Sequence, residues 1–265
     1  MNRIEKTFKE LKRKKKKAFI PFITAGDPNL KTTEELVLSF EGAGADIVEL
    51  GVPFSDPLAD GPTIQASSQR ALKKGVNLTK ILKTVAQIRR KSQIPIALMT
   101  YYNPVFYYGE DKFIRDAKAS GVDGIIIPDL PPEEAKTLIK AARKRDISTI
   151  FFLAPTTTSR RMKQIVQAST GFIYYVSMTG VTGADKQFSS ENAAKIKAAG
   201  KLTAKPVCVG FGISTPAQAK AVAKIADGVI VGSAIVKQID KNKGKKNLVK
   251  NVTRFVWTLS RGLKV

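Results

Sequence analysis

The sequence predicts an α/β fold, a closed barrel of eight strand–helix units with an extra helix at the N-terminus. Short, nearly continuous apolar segments recur eight times along the 265 residues, and each precedes a segment with helical spacing of its apolar residues. Gly, Pro, Asn and Asp separate these segments. Strands that are apolar on both faces and alternate with helices build parallel sheets, and eight such units form a (β/α)8, or TIM, barrel.

The predicted strands are Ala18–Thr24, Asp46–Val52, Pro95–Tyr101, Gly124–Asp129, Ser148–Ala154, Phe172–Ser177, Pro206–Phe211 and Gly228–Gly232. The first helix, Met1–Lys17, has Ile4, Phe8 and Leu11 at the spacing that would dock it. Thr32 or Thr33 is the predicted N-cap of the helix that ends before Gly44. No linker interrupts the alternation, so one domain over residues 1–265 is expected. A doubly wound open sheet is the alternative, because sequence does not show closure.

Composition narrows the class of protein. Apolar residues make up 43% of the chain, and the longest apolar runs have only the length of a strand, which argues against a membrane span. The basic N-terminus is not followed by a hydrophobic signal core. A lone cysteine, Cys208, predicts no internal disulfide and favours a reducing compartment. The expected location is the cytoplasm, or the plastid stroma if the protein is organellar.

The net charge of +23 is concentrated at the two ends of the chain. Residues 1–17 and 237–265 each contain nine Lys or Arg, against two and one acidic residues. Solvated helix faces are the predicted role, and a surface for polyanions is the alternative. A groove for single-stranded nucleic acid requires aromatic residues between the basic ones, and the run Lys12–Lys17 has none. A nucleic-acid partner is therefore not expected.

Histidine is absent, which excludes Ser-His-Asp and Cys-His nucleophiles and the usual zinc sites. Proton transfer near neutral pH then requires a perturbed carboxylate, tyrosine or lysine, and no metal site is predicted. Glu49 interrupts an otherwise apolar strand, and no Lys or Arg occurs in the eight predicted strands to neutralise it. If Glu49 points into the barrel, burial raises its pKa and makes it an acid/base group. The alternative is an outward Glu49 paired with a basic helix residue.

The active site of such a barrel lies where the strands end. Asp60 follows the second strand and is either a turn residue before Gly61 or a second carboxylate that faces Glu49. Phe22, Tyr101 and Tyr174 are consistent with core filling. Glycine-rich turns at Gly183, Gly210–Gly212 and Gly232–Ser233 follow the last three strands. Backbone N–H groups at such turns bind phosphate, so a phosphate ester is the predicted substrate.

Several stretches in this order and spacing resemble the tryptophan synthase alpha chain family. These are Pro21–Pro28, Glu49–Pro62, Gly180–Ala184, Gly210–Ile213 and Gly232–Val236, and the likeness runs from about residue 18 to residue 240. The resemblance implies a lyase of tryptophan biosynthesis that cleaves indole-3-glycerol phosphate by retro-aldol chemistry to indole and glyceraldehyde 3-phosphate. It also implies a heterotetramer of two alpha and two beta chains. Pyridoxal phosphate would belong to the beta chain, and this chain would need no cofactor.

The resemblance also implies residue roles. Glu49 would be the general acid/base, Asp60 would accept the indole N–H, and Tyr174 would lie against the reacting centre. Phe22 and Tyr101 (or its neighbour Tyr102) would line the indole slot, and Thr182 would order Asp60. The phosphate would bind at Gly183, Gly212, Gly232 and Ser233. Asp56 and Asp129 would contact the beta chain. Met178 and Thr179 stand where some members of the family carry arginine.

Two other functions remain as alternatives. One is a catalytically weak barrel scaffold with basic, nucleic-acid-binding termini. The other is a different phosphosugar barrel such as an isomerase, which the proline loop with both Glu49 and Asp60 disfavours.

Overall fold

A computed structural model of the protein describes residues 1–176, 190–210 (side chains from residue 193) and 212–263. The strands are β1 Ala18–Thr24, β2 Val48–Gly51, β3 Ile96–Met99, β4 Gly124–Ile126, β5 Ser148–Ile150, β6 Phe152–Leu153, β7 Ile173–Val176, β8 Val207–Gly210 and β9 Gly228–Val231. The helices are α1 Arg3–Arg13, α2 Leu30–Gly42, α3 Pro62–Leu72, α4 Leu78–Arg89, α5 Tyr102–Tyr108, α6 Glu110–Ser120, α7 Lys136–Lys144, α8 Ser159–Ala168, α9 Ser190–Leu202, α10 Pro216–Ala223, α11 Ser233–Asn242 and α12 Leu248–Arg261.

The sheet is parallel and closes on itself. Its order is β5-β4-β3-β2-β1-β9-β8-β7-β6, and the two ends, β5 and β6, are consecutive pieces of one extended stretch. Backbone N–H groups of Thr170 and Tyr174 donate to the carbonyls of Thr149 and Phe151, which joins this stretch to the β7 region. The predicted strand Ser148–Ala154 is therefore two strands, because pairing passes from β4 to β7 at Phe151. The barrel prediction is confirmed, and the open-sheet alternative is wrong.

Alternation of side chains along the strands gives the barrel two apolar cores. Residues that face outward from the strands, such as Phe19, Ile23 and Leu50, pack under the helices. Residues that face inward, such as Ile20 and Ile47, form a separate cluster along the barrel axis. The inward face of each strand therefore determines which side chains can meet at the centre of the barrel.

The first helix closes the end of the barrel at which the strands begin. Ile4, Phe8 and Leu11 are buried in the inner cluster, as the spacing predicts. The Asn2 side chain caps α1 by accepting from the N–H of Glu5, and its amide donates to Ser148 Oγ at 2.7 Å. The helix is shorter than the predicted Met1–Lys17: it ends at Arg13, and Lys15 adopts a left-handed φ of 52°.

Other differences are local. The cap of α2 is Asn29, not Thr32 or Thr33, because Thr33 Oγ1 instead accepts from the N–H of Gly26. Two short helices, α5 and α11, were not predicted, and both follow directly on the end of a strand. In the described residues, none of the helices combines the length and the apolar character that a membrane crossing requires.

Candidate active site

The candidate site is centred on Glu49, in the middle of β2. Glu49 pairs in register with Phe22 of β1 and Ala97 of β3, and it lies two residues after the inward-facing Ile47. Side chains two residues apart in a strand share a face, so the side chain of Glu49 points into the barrel. It is 1% exposed. The alternative of an outward Glu49 is wrong.

The Glu49 carboxyl has no partner within the described residues. Neither Oε1 nor Oε2 forms a hydrogen bond there. Burial, and to a smaller extent the nearby charge of Asp60, together raise the pKa of Glu49 from 4.5 to about 8. At neutral pH this carboxyl is therefore a neutral acid that can give up a proton.

Asp60 is the second carboxyl of the site and lies at the end of the proline loop, residues 52–61, immediately before α3. Burial raises its pKa and a hydrogen-bonding interaction with Tyr101 lowers it, and the net result is a rise in the pKa from 3.8 to about 6. Asp60 is therefore ionised at neutral pH, whereas Glu49 holds its proton. The two carboxyls have different charge states because Glu49 is the more deeply buried of the two.

Tyr101 and Phe22 line a small pocket together with Asp60. Tyr101 follows β3, is 5% exposed, and accepts a hydrogen bond from the N–H of Ala59 through its hydroxyl at 2.9 Å. Its neighbour Tyr102 instead donates to Glu110 Oε1 at 3.1 Å, so Tyr101 is the tyrosine of the pocket.

Tyr174 lies on the inward face of β7, opposite β2. Burial and the charge of Glu49 raise its pKa well above the usual value, so its hydroxyl remains neutral. A Cβ at Gly210 of β8 would lie 2.6 Å from this hydroxyl, so the glycine is needed for the tyrosine to fit. The structure thus brings Glu49, Asp60 and Tyr174 into one electrostatically coupled group.

The glycine corners of β8 and β9 are neighbours, because Gly210 pairs in register with Ile230. Gly212 follows β8 with a φ of 71° and is exposed. Gly232 is the N-cap of α11, and Ser233 is the first residue of that helix. The first N–H groups of a helix have no intrahelical acceptors and carry partial positive charge, so this end of α11 suits an anion. Thr182 and Gly183 lie outside the described residues.

The two residues for which the family resemblance implies partner contact are both exposed. Asp56 lies at the tip of the proline loop, and Asp129 follows β4 and accepts from the N–H of Tyr102 at 2.9 Å. Leu58, two residues after Asp56, is 96% exposed. Phe106 and Tyr107 are 68% and 93% exposed and belong to α5, the helix whose first residue, Tyr102, donates to Asp129.

The pocket also includes Thr24 and Val52, which lie at strand ends where the sequence places the active site. Sequence reasoning missed four other pocket residues: Gly51, Ile64, Ser68 and Met99. Gly51 and Met99 had a usable signal, because each lies two residues after an inward-facing position of its strand. Ile64 and Ser68 are four residues apart on α3, which gives one helical face, but nothing in the sequence indicates that α3 lies over the pocket.

A larger cavity, of about 290 Å³, lies at the opposite end of the barrel between α1 and the starts of β2 and β3. Its charged groups already have partners: Lys14 pairs with Glu10, Glu41 accepts from Ser92, and Asp46 accepts from the N–H of Phe19. We therefore assign the chemistry to the smaller pocket. In the described part of the chain, no three His, Cys, Asp or Glu side chains are grouped so as to hold a metal ion.

Comparison with known proteins identifies relatives over the full chain. The profile of a family described as "Tryptophan synthase alpha chain" matches residues 8–264. The tryptophan synthase alpha chain of Geotalea daltonii is 51% identical over 263 residues, with 99% of each chain covered. That of Caldanaerobacter subterraneus is 50% identical over 259 residues, with 98% of each chain covered.

Solved structures give the same result. The alpha subunit of tryptophan synthase from Legionella pneumophila superimposes with a TM-score of 0.92 at 38% identity, covering 100% of this chain and 99% of the other. A chain of tryptophan synthase from M. tuberculosis superimposes with a TM-score of 0.90 at 32% identity, with both chains covered completely.

Proposed function

The chain belongs to the tryptophan synthase alpha chain family, and we propose how its pocket performs the reaction of that family. The protein is a lyase of tryptophan biosynthesis that cleaves indole-3-glycerol phosphate to indole and glyceraldehyde 3-phosphate. The observation that supports the residue roles best is the buried carboxyl of Glu49, which has no hydrogen-bond partner in the described residues and a pKa of about 8.

Glu49 acts as the general acid and then as the general base. As a neutral acid it donates its proton to C3 of the indole ring, which makes the bond from C3 to the glycerol carbon breakable. The resulting carboxylate accepts the proton of the glycerol hydroxyl as that bond breaks, and the hydroxyl carbon becomes the aldehyde. The proton balance is closed, because Glu49 returns to its protonated form.

Asp60 stabilises the charge that this step creates. Protonation at C3 places positive charge on the indole nitrogen, and an ionised carboxylate that accepts the indole N–H offsets it. The pKa of about 6 keeps Asp60 ionised at neutral pH. Tyr174 lies against the reacting centre, and Phe22 and Tyr101 form walls of the indole slot.

The phosphate group of the substrate binds at the corners after β8 and β9, through Gly212, Gly232 and Ser233. The N-terminus of α11 supplies N–H donors and a favourable dipole for the dianion. We assign Gly183 to the same site and Thr182 to the ordering of Asp60 on the basis of family resemblance. The reaction as proposed uses no cofactor of this chain.

The indole product passes to a beta chain that carries pyridoxal phosphate, and the two kinds of chain form an α2β2 tetramer. We propose that the docking face is the rim at which the strands end. It would include the proline loop, with Asp56 and the exposed Leu58, and α5, whose first residue donates to Asp129 and which carries the exposed Phe106 and Tyr107. Exposed apolar side chains grouped in this way are typical of protein interfaces.

We also propose that the chain is a single domain and that it is located in the cytoplasm. Residues 1–265 form a single domain, which is supported by the burial of α1 in the barrel and by the packing of α12 on α2. A cytoplasmic location fits the bacterial relatives. The nucleic-acid alternative gains no support, since the basic N-terminal segment uses Arg3 and Lys17 in ion pairs with Asp123 and Asp227.

The test is Glu49→Gln, which keeps the shape of the side chain and removes its titratable proton. We expect indole release from indole-3-glycerol phosphate to fall at least a thousandfold, within the range that acid–base groups contribute, with an unchanged circular dichroism spectrum. Glu34→Gln on α2 is the matched control, because Glu34 pairs with Lys91 at the surface. Turnover by Glu49→Gln within tenfold of the control would refute the role of Glu49.

A further inference from the structure

Tyr101 holds the proline loop at two points. Its ring stacks on Phe54, with centroids 5.2 Å apart and planes at 29°, and its hydroxyl accepts from the N–H of Ala59 at 2.9 Å. Phe54 precedes the exposed tip of the loop and Ala59 follows it. A single buried side chain just after β3 therefore fixes both arms of a loop whose tip, including Leu58, lies in solvent.

The hydroxyl of Tyr101 also acts on the carboxyl of Asp60. Because the oxygen accepts from Ala59, its own proton is available to donate, and the interaction with Asp60 lowers the pKa of that carboxyl against the effect of burial. Burial and the charge of Asp60 both raise the pKa of Tyr101, so the hydroxyl keeps its proton. Two other titratable groups interact with the pair of Tyr101 and Asp60. The charge of Asp60 raises the pKa of Glu49, and the charge of Asp129 raises the pKa of Tyr101.

The backbone of Asp60 is held by a different side chain. Gln65 Nε2, on the first turn of α3, donates to the carbonyl of Asp60 at 2.8 Å. The main chain of Asp60 is thus fixed by α3, whereas its carboxyl is oriented from β3. Loss of the Tyr101 hydroxyl should therefore release the carboxyl without unfolding the loop.

We propose that Tyr101 is a positioning residue, and that its hydroxyl links the N–H of Ala59 to the carboxylate of Asp60 so that this carboxylate faces the indole slot before substrate binds. This role goes beyond that of a wall of the slot, which the ring alone would fill. It rests on the proposed role of Asp60 in accepting the indole N–H.

The test compares Tyr101→Phe with Tyr102→Phe. The first variant keeps the ring, its stacking on Phe54 and the wall of the slot, and removes only the hydroxyl. The second removes a hydroxyl from the adjacent residue, where it donates to Glu110 outside the pocket.

For Tyr101→Phe we expect about a tenfold loss in kcat/KM for indole release, the loss expected for one hydrogen bond. The acid limb of the pH profile should move to higher pH, because the interaction that lowers the pKa of Asp60 is gone. Tyr102→Phe should resemble the wild type in both respects.

A second readout does not depend on turnover. The amide of Ala59 is protected by the Tyr101 hydroxyl in the free protein, so hydrogen exchange at this amide should become at least several times faster in Tyr101→Phe and remain unchanged in Tyr102→Phe. In an Asp60→Asn background, Tyr101→Phe should lose its effect on the acid limb and keep its effect on exchange at Ala59.

These outcomes separate the two proposals. If Tyr101→Phe keeps wild-type kcat/KM, pH profile and exchange at Ala59, then Tyr101 is a wall only and the inference is overturned, even if Glu49→Gln is inactive. If Glu49→Gln remains active, the proposed chemistry fails whatever Tyr101→Phe does. Faster exchange with an unchanged pH profile would also overturn the inference, because the hydroxyl would then hold the loop without orienting Asp60.

Discussion

The stability of the wild-type protein should fall as the pH rises, because Glu49 is buried in its protonated form. Glu49→Gln should abolish this part of the pH dependence. In the unfolded chain Glu49 has the usual pKa of 4.5, whereas in the native protein its pKa is about 8. The native state therefore keeps a proton that the unfolded state has released between these values. The free energy of unfolding must fall as the pH rises through this window, since stability falls wherever the unfolded state binds fewer protons.

The size of the effect follows from the shift. One pKa unit corresponds to about 1.4 kcal/mol, so the contribution of Glu49 should fall by roughly 3 to 4 kcal/mol between about pH 5 and about pH 8. This is a large part of the roughly 5 to 15 kcal/mol by which a domain is stable. Gln leaves its own buried amide without partners, but that cost does not vary with pH. The slope, and not the absolute stability, is therefore the measurement that matters.

The assay is urea unfolding, followed by far-UV circular dichroism, at a series of pH values in wild type, Glu49→Gln and the surface control Glu34→Gln. Subtracting the variant profile from that of the wild type removes the contributions of the titrating groups that do not interact with Glu49. We expect the difference to change by roughly 3 to 4 kcal/mol across the window and the control to follow the wild type. Parallel profiles for wild type and Glu49→Gln would mean that the native carboxyl is already ionised, and the reasoning would be wrong.

Three other predictions concern the pocket and its rim. The pH profile of kcat/KM should be bell-shaped with limbs near 6 and 8, because the active form needs an ionised Asp60 and a protonated Glu49. Gly51→Ala should destabilise the protein by about 1 to 3 kcal/mol and lower kcat/KM, because the new Cβ would lie 2.5 Å from Cζ of Phe22. Leu58→Ser should weaken beta-chain binding by about tenfold or more in calorimetric titration, without lowering the stability of the isolated chain, because it removes an exposed apolar contact.

Each of these predictions has a control and a contradicting result. A profile of kcat/KM that stays flat from about pH 5 to about pH 9 would exclude the two-carboxyl assignment. Gly42→Ala meets no atom within 4 Å and should be harmless, so equal effects of the two alanine variants would refute the clash with Phe22. Trp257→Ser removes another exposed apolar side chain, from α12, and should leave beta-chain binding unchanged. If Leu58→Ser binds the beta chain as tightly as wild type does, the proposed docking rim is wrong.

Much of the barrel could be predicted because its signals are local. Strand positions follow from apolar runs, and the lack of Lys or Arg in the predicted strands indicated that an inward Glu49 would have a raised pKa, with an outward Glu49 as the alternative. Ile4, Phe8 and Leu11 were correctly assigned to docking, because a helix with one apolar stripe must cover something.

The remaining features depend on contacts between distant parts of the chain. Closure of the sheet requires β5 and β6 to pair with different neighbours, and no local pattern marks the change at Phe151. The helix α11 begins in the glycine corner after β9, which the sequence had marked only as a turn. The link from Tyr101 to Ala59 spans 42 positions, so the sequence could place Tyr101 at the end of a strand but not on the proline loop.

Direct titration of the Glu49 carboxyl tests the central claim most simply. In protein labelled with ¹³C at glutamate carboxyls, the signal absent from Glu49→Gln identifies the residue, and its chemical shift can be followed with pH. We expect a midpoint near 8 in the free protein. A midpoint near the usual 4.5 would contradict the account, because Glu49 would then be an anion at neutral pH with no proton to give to indole.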